Sequence, residues 1–495
     1  MPDKNNMLWL ASRALIPALS LSLGLAWACL GQDTPRPPVD SLSDFAQGKG
    51  TLKPAARIAS KDLDECSGIV WYDGAWWAHN DSGDGPYLFR ATSADFTDAQ
   101  KLAVPGAKAV DWEDICTIGD DLLCCDTGDS ARKRESVTLY RVHYSADSDG
   151  KGALKLLATY PVTWPDEPHD CEAAAVIDGK LHLVTKQRGE GFTGLYRFAE
   201  LKDGGKNVPE LVSKLNVGTA TMITAADYDA TGGNLLLLSY TRIFVYPKGK
   251  LEGDPAWSTL IEADQCEALC LNAGTLFFTN EQRDVYWVHD FMTRKPQSML
   301  PPRVTTTLPF EQSSFEVDGT GAAWKAGATV LPMRNLNQGE SLRWMIAGPR
   351  LLLYGSLGYE GSFTSSSERG NRMGTGLWLG FGSEGTEALA GTEKLFFIGD
   401  NGVTGADLWT VGMEKSIKLG LVEGVVCKGK PEAGKFTFEI SLPVTAVFAE
   451  GKLPQGFLAN AWGYGMRGDA EPNLAGSSFY SMLRPYTWAD IKIKQ

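Results

Sequence analysis

The chain is 495 residues long, enough for two domains, and carries 60 acidic against 47 basic side chains, a net charge of −13. That balance argues against nucleic acid and anionic membranes as partners and suits cations, neutral sugars or other small molecules. Its 54 glycines and 15 tryptophans, with few long helical patterns, favour many short strands joined by tight turns.

At the start, Lys4 and Arg13 supply positive charge ahead of an uncharged apolar run from Ala14 to Ala28. The run is short for a bilayer span and ends in small residues, so residues 1–28 read as a signal peptide. Two readings stay open. Ala26-Trp27-Ala28 fits a signal-peptidase site, and Cys29 directly after Ala28 fits a lipobox, although Trp27 is an awkward residue there. Either way the expectation is an exported protein, in the periplasm, on the outer surface or secreted. Its membrane attachment would be through the signal peptide or a lipid anchor at Cys29. Residues 29–50, with Pro35, Pro37, Pro38 and Gly48, read as a flexible linker.

Internal repeats follow. Five segments align: ECSGIVWYDGAWWAHND from Glu65, EDICTIGDDLLCCDTGD from Glu113, EAAAVIDGKLHLVTK from Glu172, DYDATGGNLLLLSY from Asp227 and EALCLNAGTLFFTNE from Glu267. Each runs from an acid through a short apolar strand to a turn such as Asp73-Gly74 or Asp178-Gly179, and returns as a second strand ending in a polar cluster. A third strand (YLFR, TLYRV, GLYRF, RIFVY, DVYWV) follows each hairpin, and a weaker fourth follows most. Four antiparallel strands repeated at this interval predict a β-propeller over 51–308, five-bladed with a sixth blade possible, and the strand at 55–60 is placed to close the ring.

A hairpin brings the start of its first strand and the end of its second to one end. Glu65, Glu113, Glu172, Asp227 and Glu267 are therefore expected to converge near the axis, with Asn80, Asp81, Asp126, Asp129, Lys186 and Asn280 around the same funnel. Carboxylates gathered in a partly dry site leave three outcomes: a bound cation, raised pKa values, or pairing with Lys186, Arg132, Arg134 or Arg188. All-oxygen ligands favour Ca²⁺. The competing reading is that the repeated acids accept backbone N–H bonds and pin blade to blade. Nine cysteines in an exported chain suggest disulfides, but several occupy small buried positions; one bridge, from Cys116 to Cys124 or Cys125, is expected.

The motifs of the first two repeats, E-x-S-G, N-D-S-G, D-W-E-D-I and D-x-G-D followed by Arg, resemble a group of bacterial secreted propellers of unassigned activity. A looser resemblance runs to the gluconolactonase/regucalcin and phytase-like propellers, which implies Ca²⁺ near the axis and hydrolysis of lactones or phosphate esters. The lactonase set of one Glu, two Asn and an Asp is not in clear register here.

From Phe310 the pattern changes to longer alternating strands, predicting an antiparallel β-sandwich over 309–495. A V-D-G…W opening, RLLLYGSLGYEGS, an E-x-x-x-P strand (Glu439 to Pro443) and a closing P-x-x-W (Pro485 to Trp488) resemble family 9 carbohydrate-binding modules and DOMON-like sandwiches. That resemblance implies a sugar-binding face, for which Trp378, Trp409, Trp462 and Tyr464 are candidates; Trp378 and Trp462 are the two carried forward. The fold class is thus all-β, a propeller followed by a sandwich. The expected function is binding of a small molecule or glycan. The alternative is a Ca²⁺-assisted hydrolase of a lactone, ester or phosphoester using the axial acids, and a third reading is a purely structural surface protein.

Overall fold

A computed structural model describes residues 39–494 apart from 147–151, 188–191, 219–220, 264, 301–304, 313, 325–328, 332–340, 359–375, 385–393, 400–406, 411–416, 433–434, 449–451 and 465–488. The expected signal peptide, Cys29 and the start of the linker lie outside the described residues. No helix among them is long and apolar enough to cross a membrane.

Five blades of four strands form the first domain, four of them separate sheets and the blade 4 sheet extended to seven strands. Blade 1 runs outward as Cys66–Tyr72, Ala75–Asn80, Tyr87–Ala91 and Gln100–Ala103. Blade 2 is Trp112–Ile118, Asp121–Asp126, Val137–Ala146 and Gly152–Val162; blade 3 is Cys171–Ile177, Lys180–Thr185, Thr193–Arg197 and Glu210–Leu215. Blade 4 is Ile223–Asp229, Asn234–Ser239, Arg242–Pro247 and Trp257–Ile261. Blade 5 takes Cys266–Asn272, Thr275–Asn280 and Asp284–Val288 from its own repeat and Ala56–Arg57 from the start of the chain. The inner hairpins turn where the sequence supplies left-handed residues: Asp73 (φ 47°) with Gly74 (φ 72°), and Asp178 (φ 50°) with Gly179 (φ 73°). Both central residues at positive φ is the turn whose twist matches paired strands.

The packing fixes the blade count at five. Each gap between neighbouring blades holds its own apolar cluster. Ile115 and Trp77 meet between blades 1 and 2, Leu139 and Leu183 between 2 and 3, Val184 and Leu237 between 3 and 4, and Leu238 and Phe278 between 4 and 5. The ring closes between blades 5 and 1, where Trp76 stacks on Phe277 with centroids 4.3 Å apart. Arg283 clasps this joint by donating to Ile58 O at 2.6 Å and Ser60 O at 2.8 Å.

Two expectations are corrected. The linker over 29–50 gives way to a hairpin at its end, Leu42–Ala46 with Lys49–Leu52, which extends the blade 4 sheet through Ser298–Met299. Leu42 and Leu52 are buried against Met299, so apolar spacing overrides a Pro/Gly-rich flank. The expected disulfide does not form: Cys116, Cys124 and Cys125 are free, buried thiols. Strand alternation sends Cys124 into the gap between blades 1 and 2 and Cys116 and Cys125 into the gap between blades 2 and 3.

The second domain is a β-sandwich. One sheet orders Ile417–Leu421, Asp407–Thr410, Lys394–Gly399, Gly376–Ser383, Gly456–Tyr464 and Ala489–Lys494; the other holds Ser341–Ala347, Arg350–Gly358, Lys435–Pro443 and Val426–Glu432. Pairing is antiparallel except at Thr305–Glu311, which runs parallel to both neighbours and passes from the first sheet at Pro309 to the second at Phe310. That strand begins the sandwich a few residues before the expected boundary at 308/309. Trp344, Leu353, Phe438 and Ile440 from one sheet and Leu379, Phe381, Phe457 and Ile491 from the other form a single buried core.

Candidate binding site at the propeller mouth

The inner strand of every blade carries a β-bulge one residue after it starts. The register slips between Cys66 and Gly68, Trp112 and Asp114, Cys171 and Ala173, Ile223 and Ala225, and Cys266 and Ala268. The extra residues are Ser67, Glu113, Glu172, Thr224 and Glu267. A bulge leaves its residue unpaired and re-aims it, which here is toward the mouth of the ring. The next strand ends one residue short of Asp81, Lys186, Tyr240 and Glu281. Backbone bonds fix Asp81 N to Glu65 O (3.0 Å), Lys186 N to Asp170 O (2.8 Å) and Glu281 N to Gln265 O (3.1 Å).

This register corrects two of the five expected acids. Glu65 is exposed and lies two residues before the bulge, at the position of Asp111 and Asp170. Asp227 lies three residues beyond the bulged Thr224, inside the ring, where Oδ2 accepts Leu271 N at 2.6 Å and Oδ1 accepts Tyr228 N at 2.8 Å. Asp114 does the same from blade 2, accepting Ala174 N at 2.7 Å and Ala226 N at 3.3 Å. These two carboxylates pin blades together through amides, the structural role weighed for the whole set. Burial raises both pKa values despite the amide bonds, Asp227 to about 6 and Asp114 well above the usual carboxylate range.

Glu113, Glu172 and Glu267 do meet at the mouth. Lys186, 3 % exposed, pairs its ammonium with Glu172 Oε2 and donates to Tyr240 Oη at 3.0 Å. Tyr240 donates in turn to Glu267 Oε1 at 2.9 Å. Burial, then the charge of Glu267, raises the Tyr240 pKa well above normal and keeps it a neutral donor. Beside this relay lie two carboxylate triads that share Glu113: Asp81, Asp111 and Glu113, and Glu113, Asp170 and the relay's own Glu172. Within each, one oxygen per residue lies within 4.8 Å of the others. Blades 1, 2, 3 and 5 thus supply acids around a lysine from blade 3 and a tyrosine from blade 4. Burial, then the charges of Glu172 and Asp81, raises the Glu113 pKa well above normal. Burial, then Asp81 and Asp170, pushes Asp111 up to about 6, and burial raises Glu267 well above normal.

The remaining expected residues divide. Asp81 and Lys186 belong to the site. Asn80 is buried and spent on its own loop, accepting Glu65 N at 3.2 Å and donating to Asp62 O at 2.7 Å. Asn280 accepts Asp284 N at 2.7 Å. Asp126 accepts Asp111 N at 2.9 Å and pairs with Arg134 at 3.0 Å. Asp129 caps the turn that follows it through Lys133 N (2.9 Å) and Arg134 N (2.7 Å). Asn80 and Asp126 thus accept the amide two residues ahead of the bulge, whereas Asn280 and Asp129 are engaged by the turns that follow them. Asp111, Asp170, Tyr240 and Glu281 are the members that the sequence reading passed over. A D-x-E pattern, Asp111-x-Glu113 and Asp170-x-Glu172, carried a signal for two of them. Trp378 and Trp462 are register partners on adjacent strands of the sandwich; their side chains lie outside the described residues.

No known family matches the sequence, and neither does any curated protein. Solved structures similar in part include a family 9 carbohydrate-binding module from Caldicellulosiruptor kristjanssonii in complex with glucose, at 9 % identity, TM-score 0.28, over 38 % of this chain and 96 % of that one. The same module in complex with cellotriose gives 9 % identity and TM-score 0.29 over 38 % and 94 %. The computationally designed Ika8 protein gives 8 % identity and TM-score 0.24 over 61 % and 86 %.

Proposed function

We propose that this chain is an exported binding protein whose propeller mouth takes a small polyhydroxylated ligand of sugar size, with the C-terminal sandwich serving as a carbohydrate-type binding module. The observation that carries the reading is the Glu172–Lys186–Tyr240–Glu267 relay, buried at a mouth to which all five blades contribute. Carboxylates accept from sugar hydroxyls and an ammonium donates to them, so such a relay offers both halves of the polar code that sugars need. Perturbed acids gathered in one place mark functional sites more often than surface ones. The sandwich reading is supported by the sequence resemblance of 312–493 and by two tryptophans at one register position. Export is supported by the charge and apolar pattern of residues 1–28.

The test is a glycan array followed by calorimetry on the full chain. Binding that Glu172→Gln weakens about tenfold, about 1.4 kcal/mol, supports the mouth; binding abolished by Trp462→Ala and untouched by Glu172→Gln would place it in the sandwich alone. No saturable binding to any glycan at millimolar concentration removes the reading. Cell fractionation of the wild type and Cys29→Ala tests export and the lipid anchor together.

A further inference from the structure

We propose that the ligand of the propeller mouth carries a primary ammonium, so that an amino sugar is held there in preference to a neutral one. The inference rests on the reading of the mouth as a glycan site and names the chemical class of that glycan. Carboxylates pass from blade to blade around the mouth: Glu267 and Glu281 from blade 5, Asp81 from blade 1, and Asp111 and Glu113 from blade 2. The charges that bear on them follow the same arc. Burial raises the Glu281 pKa, and the charges of Glu65 and Asp81 add to the rise. Burial raises Glu267, Lys186 opposes the rise, and Glu172 and Glu281 add to it.

The arc is short of counter-charge. Lys186 is engaged by Glu172 and Tyr240. Of the guanidinium groups expected to pair with the acids, Arg134 lies 3.0 Å from Asp126 and donates to Gly128 O at 2.8 Å, and Arg132 donates to Gln187 Oε1 at 3.2 Å. Among the described residues no ion pair reaches Glu113, Glu267 or Glu281. Hydrogen bonding gives a second, independent observation. Glu267 is 8 % exposed; its Oε1 accepts from Tyr240 Oη at 2.9 Å, and its Oε2 is buried with no hydrogen-bond partner. A buried acceptor is normally matched by a donor, so a carboxylate oxygen left over at a mouth marks the place of an incoming one. A sugar hydroxyl brings a donor alone, whereas an ammonium brings the donor and the missing charge together. Lys186 shows how such a group sits here: its Nζ pairs with Glu172, donates to Tyr240 Oη and lies 5.0 Å from the centre of the Tyr240 ring. Glu267, on the other side of the Tyr240 hydroxyl, offers the matching position for a second ammonium. It lies outside both groups of clustered carboxylate oxygens, so an ion held in either group leaves Oε2 unmatched, while a ligand with donors on several atoms can reach it.

The experiment uses the full chain, stripped of metal with EDTA and held at about pH 6, where a primary amine is protonated. Calorimetric titrations compare glucosamine oligomers, their N-acetylated counterparts, neutral cello-oligosaccharides and spermidine. Glucosamine oligomers should bind about tenfold tighter than the other two sugars, the difference a charge-assisted hydrogen bond makes. An ammonium entering the mouth favours the ionised form of the acids it meets, so its binding should release protons, and the heat should change with the ionisation enthalpy of the buffer. Glu267→Gln should lower affinity for glucosamine oligomers about tenfold and abolish that buffer dependence, with little change for the neutral sugars. Glu281→Gln provides the same test should Glu267→Gln misfold, and Asp227→Asn should leave the preference unchanged. Equal affinity for glucosamine oligomers and their N-acetylated counterparts, or a preference that survives both glutamate variants, overturns the inference and leaves the glycan reading standing. Binding of spermidine without binding of any sugar sinks the glycan reading and leaves the ammonium site, with a polyamine as its ligand. Binding of none of the four overturns both.

Discussion

Replacing Lys186 by Met leaves Glu172 buried without its ion pair and removes the donor to Tyr240. Breaking one side of a buried pair typically costs about 3–5 kcal/mol, much more than an exposed pair, because the orphaned charge stays dry. Denaturant unfolding of Lys186→Met should show a loss of that order, and the double variant with Glu172→Gln should recover part of it. Asp227 gives a second test at this scale. Its folded carboxyl holds a proton up to about pH 6, chiefly because it is buried, while the unfolded one releases it near its ordinary value of 3.8. Between those values the fold binds more protons than the unfolded chain, so stability is present below the window and is lost as pH rises through it. Asp227→Asn cannot titrate there. Its melting temperature should fall less from pH 4 to pH 6 than that of the wild type, and an identical slope would refute this role.

At the scale of the element, the bulge is what turns a repeated strand into a site. Where the bulged residue is Ser67 or Thr224, its hydroxyl bonds the next blade, Ser67 Oγ to Glu113 O at 2.8 Å and Thr224 Oγ1 to Cys266 O at 2.6 Å. Where it is Glu, the carboxylate reaches the mouth instead. One backbone feature thus serves packing in two blades and gathers carboxylates at the mouth in three. Gly128→Ala tests the separation. The atoms nearest the added methyl would be Glu113 Oε1 at 2.0 Å and Asp111 Oδ2 at 2.5 Å. The expected outcome is a melt within a few degrees of the wild type together with weakened glycan binding. A large loss of stability with unchanged glycan affinity would mean that the glycine serves the fold.

For the whole molecule, closure decides stability. The strand that completes blade 5 comes from residues 56–57, more than 200 positions from its partner at Asp284 and Val285. A chain starting at residue 62 loses this strand, the hairpin that extends blade 4, and the Ile58 and Ser60 carbonyls that Arg283 holds. It should fail to give a cooperative propeller transition in calorimetry, while a chain starting at residue 37 keeps it. Arg283→Ala in the intact chain should be milder, costing about 1–3 kcal/mol for the carbonyls left without their charged donor.

The sequence by itself determined the repeat, the five hairpins, the closing strand and the change to a sandwich near residue 309, because turn residues and period-two alternation are local and need no partner to be read. It also named Glu113, Glu172, Glu267, Asp81 and Lys186. Tertiary structure alone decided register. A bulge shifts one strand against its neighbour by a single residue, and that shift moved Glu65 to the surface and Asp227 into the packing while bringing Asp111 and Asp170 beside Glu113. It also decided which polar strand ends were consumed: Asn80, Asp126 and Asn280 look equivalent to ligands in the sequence, and only the amides facing them in space make them struts. Alternation tells which face a side chain takes. Which oxygens remain unsatisfied there depends on donors brought in from other blades.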